Sequence, residues 1–478
     1  MFMECSAAAH HGLRPGSYRS RAMALPTSVS RRSSSRHRDP LARVARLEVA
    51  VRRERDRIDP LVTRRLLLAA RAALAVTAVS VVTRVLGPSE SGAIAVVATL
   101  VWLAVRSVTL GPASVMDREV RDMRTSPDVL ATDGVIAGVL SGVPLACIGV
   151  LVTAPVFGVG TAMVAVALAT IALVVSLHLA YIGRLAGRCA QVSGASTIAL
   201  AIGAGATLVH AIDRRLTIDD VALVWSGAAV ASTALLMIVL RHDFDVFDEE
   251  SIRRLLRATV PGAMVAAPVV CAWLFGLVAV ARASGAEDAG RFSLAVGAAH
   301  LFMIGALELS APSVGASDER RTIDALSLAT RRAILTLSGS ALVAASTIAV
   351  AIGALTGVHD AAVAAAAALL LPGAAALVIR RPLTLHLRER GDTPWLVPLD
   401  VFGLLGVMTV DSLVAGRWSF VAVAAATSVG CLILLAATVA LFADRSDRTV
   451  RSVVRPTEAD IRWLLAAETR AVRHPAVK

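Results

Sequence analysis

Charges stand inside runs of sequence that are otherwise apolar enough to cross a bilayer, Arg71, Arg106, Glu308 and Asp400 among them. A charge buried there costs about 2.5–3.5 kcal/mol on insertion scales unless it is paired or hydrated, so each is a candidate for function. Arg71 lies about one and a half turns into the first run. Arg106 lies about 14 residues into the second, which returns toward the starting side. At about 1.5 Å per residue the two fall at comparable depth. Two guanidiniums facing one cavity would suit a diphosphate, because Arg offers a planar fork of donors and keeps its charge. The structural alternative for Arg71 is that it snorkels to the interface. Glu308 and Asp400 have the chemistry to carry a proton between the two sides, or to balance the arginines as counter-ions. Asp411, nearer the far end of its run, is expected to be solvated, and His178, His210 and His300 to be packing or loop residues.

These residues need a frame of long helices. The chain has 478 residues, 56% hydrophobic and only 18% charged, with a mean hydropathy of +0.70. Apolar runs of about 20 residues recur from Leu66 onward, the length that crosses the hydrocarbon layer. The predicted spans are 66–86, 92–112, 134–153, 157–181, 194–212, 220–240, 260–281, 292–314, 333–355, 361–379, 395–415 and 419–442. Aromatic content of 4% and abundant Ala and Val argue against a β-barrel. The fold class is therefore all-α: a polytopic membrane protein of about twelve transmembrane helices.

The formal charge is +12, almost all of it from Arg. Loops on one side of the predicted bundle hold about 17 Arg against about 5 on the other, which places both termini in the cytoplasm. Residues 1–64 read as a basic, partly disordered cytoplasmic tail, with an amphipathic surface helix at 41–58 as the alternative. Residues 65–241 read as a first lobe of six spans, 242–259 as a cytoplasmic linker, 260–443 as a second lobe of six spans, and 444–478 as a second basic cytoplasmic tail. Such charge suits topology and anionic lipid, and no recognition motif for nucleic acid accompanies it. Five scattered cysteines form no C-x-x-C, so neither a disulfide framework nor a metal site is expected. The sequence holds no P-loop, H-E-x-x-H or nucleophile elbow, and no cofactor or enzymatic activity is expected.

The halves echo one another. Arg84, Gly87 and Gly92 form R-x-x-G-x-x-x-x-G between the first two spans, and Arg282, Gly285 and Gly290 repeat it between the seventh and eighth. Arg64-Arg65-Leu66-Leu67 and Arg253-Arg254-Leu255-Leu256 open the two halves. Pro112 and Pro312 close the second span of each. Six spans per half give both halves one orientation, so the lobes form a parallel repeat about an axis along the membrane normal. The glycines permit tight turns. Arg84 and Arg282 then mark an outer gate or a structural turn.

Arg84-Val85-Leu86-Gly87-Pro88-Ser89-Glu90-Ser91-Gly92 resembles the Arg-x-Leu-Gly-Pro-x-Glu-x-Gly turn of Wzx-type polysaccharide flippases. These belong to the multidrug/oligosaccharidyl-lipid/polysaccharide exporter superfamily. Gly111, Val115-Met116-Asp117-Arg118-Glu119 and Glu287-Asp288-Ala289-Gly290-Arg291-Phe292-Ser293-Leu294-Ala295 continue the likeness, with Phe292 where Tyr is usual. The resemblance implies alternating access by two six-helix lobes in a bacterial inner membrane. It implies an isoprenoid-diphosphate-linked oligosaccharide moved to the outer leaflet for cell-surface polysaccharide, held at Arg71 and Arg106. Its implied partners are the lipid-linked sugar, membrane lipids and proteins of polysaccharide assembly. Two features depart from the family: His300 and Glu308 replace an Arg deep in the eighth span, and aromatic residues are scarce. A cation or drug antiporter of the same superfamily is the alternative and would line its cavity with acids. A polysaccharide polymerase or ligase would be expected to carry a large outer loop.

Overall fold

The computed structural model describes residues 60–121, 127–157, 160–213, 216–241, 247–310 and 319–464. The amphipathic stretch expected at 41–58 lies outside them. The described elements are α1 (Pro60–Arg121), α2 (Pro127–Phe157), α3 (Thr161–Leu185), α4 (Cys189–Ile212), α5 (Ile218–Val239), α6 (Glu249–Ser284), α7 (Ala286–Ser310), α8 (Glu319–Thr356), α9 (Ala361–Glu389), α10 (Thr393–Ala415), α11 (Phe420–Arg445) and the short α12 (Val450–Val454). The described residues include ten segments long and apolar enough to cross a membrane. One of them, Leu66–Ala113, is 48 residues long and carries the first two predicted spans. A shorter apolar stretch, Cys271–Ser284, belongs to the seventh. The protein is a polytopic all-α bundle, the solution that satisfies every backbone group inside lipid.

α1 is two helices joined at Gly87, whose φ of 82° and ψ of 173° break the helical run. Gly285, between α6 and α7, has nearly the same backbone, φ 91° and ψ −178°. That region is essentially closed to residues with a Cβ. Pro88 then opens the second arm of α1 at a position where its missing N–H costs nothing. The end of the bundle holding Gly87 and Gly285 is called the turn face, and the opposite end the tail face.

α1 to α5 pack against one another, as do α6 to α11, and the two groups meet chiefly where α1 lies against α6 and α7. Small residues allow the close approaches. Gly138 and Gly142 of α2 seat Val175 and Ile171 of α3, and Gly203 of α4 seats Trp225 of α5. The second group has its core around Trp273, Phe292, Leu370 and Val423, with Val96, Trp102 and Leu103 of α1 laid against it. Leu151, Leu342, Val350, Phe402 and Ile433 point away from the bundle, as a lipid-facing surface requires.

At the tail face the start of α6 is amphipathic. Asp248 caps it, accepting from the Glu250 N–H at 3.0 Å, and Glu249–Arg253 and Glu250–Arg254 pair one turn apart. Its Ile252 and Leu255 are buried with Met116, Leu130 and Ile182 of the first group. The C-terminal segment returns to the same face. Val453 of α12 sinks among Leu383, Leu387, Leu396 and Phe442. Asp460 closes a capping box with Thr457 and accepts from Arg331 Nε at 2.9 Å, while Arg331 Nη1 reaches the Ser452 carbonyl at 2.8 Å. Burial opposes its charge, but the Thr457 backbone and hydroxyl and the Arg331 guanidinium outweigh it and hold the Asp460 carboxyl down at about 2.

Candidate functional site

The repeated turns meet. A Cβ on Gly92 would lie 2.5 Å from the Gly290 nitrogen and would overlap the Ala286 carbonyl, while one on Gly290 would overlap the Pro88 carbonyl. Pro88 and Ala286 follow Gly87 and Gly285 directly, so the contact is reciprocal: each copy's last glycine receives the other copy's turn. Such an arrangement places a local two-fold axis between Gly92 and Gly290. Neither position tolerates a side chain while the contact is closed.

Charged groups around the turns tie them to the corner between α8 and α9. Arg84 donates from Nη2 to the carbonyl of Ala354, crossing from the first group of helices to the second. Arg291 bonds Glu287 at 2.6 Å and lies 3.8 Å from Asp360, the residue that caps α9. Arg282 is exposed at the end of α6. The hydroxyls of Ser91 and Ser293 bond the carbonyls of Pro88 and Gly290, each within its own turn.

Arg71 and Arg106 are both buried within α1. Arg71 is fastened to α4: its Nε donates to Thr197 Oγ1 at 2.8 Å and its Nη2 to the Ser193 carbonyl. Arg106 lies over the Trp102 ring, 5.6 Å from its centroid, the geometry of a cation–π contact. Ser193 and Thr197 of α4 thus hold Arg71, while Trp102 lies under Arg106.

The acids divide into three cases. Glu308 lies on α7 where the side chains are outside the described residues. Asp400 of α10 is buried and held by Arg380 of α9, with Arg388 at 3.9 Å, while Arg380 Nε also donates to Thr438 of α11 at 2.7 Å. Its counter-ions are thus on its own side of the bundle, not Arg71 or Arg106. Asp411 corrects the expectation of solvation. It has no exposed surface, because α6 and α11 close over it: Gly276 lies against it and Thr427 Oγ1 donates to its Oδ2 at 3.0 Å.

Sequence reasoning missed the Arg380–Asp400 pair by ending the tenth span at 379, so that Arg380 read as a loop cation. The helix runs on to Glu389. Pro382 stands inside this continuation and masks it in the sequence, but Arg380, Thr384 and Leu387 keep helical spacing and are all buried. His178 is buried in α3 against Gly138, and His210 bonds the carbonyl one turn before it.

No protein-family model matches the chain, and no curated protein matches it. Solved structures do. An inward-facing multidrug resistance MATE family transporter of the MOP superfamily is similar at 13% identity, over 81% of this chain and 98% of that one, with a TM-score of 0.51. An outward-facing structure of such a transporter is similar at 13% identity, over 80% and 95%, with a TM-score of 0.52. A MATE in complex with MaD5 is similar at 14% identity, over 80% and 96%, with a TM-score of 0.53. At these identities the likeness is one of fold, and the fold of this chain is that of the MATE transporters of the MOP superfamily.

Proposed function

We propose that this chain is a membrane transporter working by alternating access, an exporter of small organic compounds in exchange for a cation. The observation that carries the reading is the likeness of fold to multidrug resistance transporters over about four-fifths of the chain. The reciprocal Gly92–Gly290 contact supports it, because two helix groups joined at one end can rock about that joint. The charge asymmetry of the loops supports a placement of the turn face outside and both termini inside. The test is drug susceptibility in a strain lacking the gene, with and without the chain restored, followed by efflux from proteoliposomes. Unchanged susceptibility together with no efflux in either ion gradient would overturn the reading.

A second reading, flipping of a lipid-linked oligosaccharide, has its own support. The Arg84–Gly92 motif resembles that of the flippases, and Arg71 and Arg106 put two cations inside the apolar part of α1, where a diphosphate would be drawn. Arg106→Ala separates the two readings. Loss of surface polysaccharide at normal protein level favours the flippase, and loss of drug export alone favours the exporter.

A further inference from the structure

The segment that follows the last span of each half returns to the tail face and packs on the third span of that half. After α5 this is the start of α6, laid on α2. After α11 it is residues 446–464, laid on α8. In the first half Asp133 of α2, which has no exposed surface, accepts from the Asp248 N–H at 2.9 Å, and Leu130 is buried with Ile252 and Leu255. In the second half Asp324 of α8 accepts from Arg448, and Ile323 and Leu326 are buried with Val453. Each segment opens on a side-chain cap, Asp248 on the Glu250 N–H and Thr449 on the Ser452 N–H. Residues 446–464 are thus the second half's counterpart of the linker that opens α6.

α8 depends on such a piece. Its middle faces lipid: Leu342, Val343 and Val350 are exposed, and from 338 to 351 none of its described side chains is buried. α9 lies along it. Its buried residues gather toward its ends, with Ile323, Leu326 and Thr330 near the tail face and Ile352 and Thr356 near the turn face. At the turn face Arg84 ties it to α1. At the tail face the tie is the C-terminal segment.

That tie has an apolar and a polar part. Val453 is wholly buried where α8, α9, α10 and α11 meet, among Leu326, Leu387, Leu396 and Phe442. Arg331 reaches across to both Asp460 and the Ser452 carbonyl, and the Trp463 ring covers Arg332. Asp324 and the two arginines lie about two turns apart on α8 and so face one way. The Arg448–Asp324 pair is exposed and adds little. The hold comes from Val453 and from Asp460, whose side chain is 1% exposed.

We propose that residues 446–464 are a strap that fastens the tail-face end of α8 to α9, α10 and α11, as the start of α6 fastens α2 to α1 and α3. With the strap closed, α8 is part of the second helix group. With the strap released, its tail-face end can leave α9 while Arg84 still holds the other end. In a chain whose helix groups rock, the strap decides whether α8 travels with α9 to α11. That use rests on the exporter reading; the fastening does not.

The experiment uses the purified full chain in detergent micelles, with Val453→Ser and Asp460→Asn combined to open the strap. Hydrogen exchange is read by mass spectrometry. Residues 446–464 should lose protection, and 319–335 of α8 should lose about tenfold or more with them. Residues 361–374 of α9 and 127–140 of α2 should keep theirs. Protection kept at 319–335, or at 446–464 itself, overturns the proposal. So does an equal loss over all four segments, which would report the stability of the whole bundle. If the variant does not accumulate, the wild type is followed in rising urea. There 319–335 and 446–464 should open together, ahead of 361–374, and independent opening of the two overturns the strap. None of these readouts measures transport, so a failed efflux assay counts against the exporter reading and leaves the strap standing.

Discussion

Arg380 of α9 holds Asp400 of α10 inside the membrane-spanning region, and both side chains are buried, 5% and 1% exposed. Removing one partner breaks a buried pair, at a cost of about 3–5 kcal/mol, which Arg388 at 3.9 Å from Asp400 offsets in part when Arg380 is the one removed. Asp400→Asn or Arg380→Met should therefore lower the unfolding temperature and the yield of folded protein sharply. The double change Arg380→Met with Asp400→Leu should restore most of the loss. Fluorescence-detected size exclusion after a heating series measures both. A double variant no better than the worse single would show that the pair is not an isolated charge couple.

Substitutions at the repeated glycines should separate into two kinds. Gly92→Ala and Gly290→Ala put a methyl group into the opposing turn, so the turn face cannot close. Gly87→Ala and Gly285→Ala meet no neighbour, but hold a residue with a Cβ in a backbone region it avoids, at a cost of about 1–3 kcal/mol. The first pair should raise labelling of a cysteine placed at Ser91→Cys by an impermeant maleimide, in a chain freed of its five native cysteines. The second pair should lower thermal stability with less effect on labelling. Equal behaviour of all four would contradict the reciprocal contact.

Arg84→Ala should loosen the same contact by another route. It removes the tie from α1 to the Ala354 carbonyl at the end of α8. Both changes act on one joint, so the labelling increase of Arg84→Ala combined with Gly290→Ala should fall short of the sum of the two. A simple sum would mean that Arg84 acts elsewhere.

The C-terminal segment should stay docked well into acid. The Asp460 carboxyl is held at about 2, below the usual value of about 3.9 for Asp. A depressed acid contributes stability that is present above its unfolded value and lost as pH falls through its folded value. Docking should thus be indifferent to pH from neutrality down to about 4 and weaken only toward about 2. Asp460→Asn should loosen it at neutral pH. Trp463, stacked on Arg332 at 4.3 Å, provides the fluorescence signal. Loosening of the wild type near neutrality would assign the docking to some other group.

What could be read from the sequence follows from the range of the forces involved. Span length and hydropathy are local, so α2 to α5 and α7 to α11 fall where apolar runs of the right length predict them. The turn at Gly87 was legible because its backbone demands glycine. The approach of Gly92 to Gly290 was not, since nothing in either turn says that the other lies against it. Asp411 shows the limit most plainly. Its place near the end of an apolar run suggested water, but burial depended on Gly276 of α6 being small enough to admit α10 and α11. The residues that hold Arg71, Ser193 and Thr197, carry no mark in the sequence of α4.

The reciprocity of the two turns has a historical meaning. A surface that fits its own copy is what a two-fold dimer of identical chains requires. Gly92 over Ala286 and Gly290 over Pro88 are that fit, kept inside one polypeptide. A six-helix chain carrying a single R-x-x-G-x-x-x-x-G turn would hold all it needed to pair with a second copy at this joint. Fusion of two such chains would then release each half from serving as its own mirror, leaving Asp400 and Asp411 free to arise in one half alone.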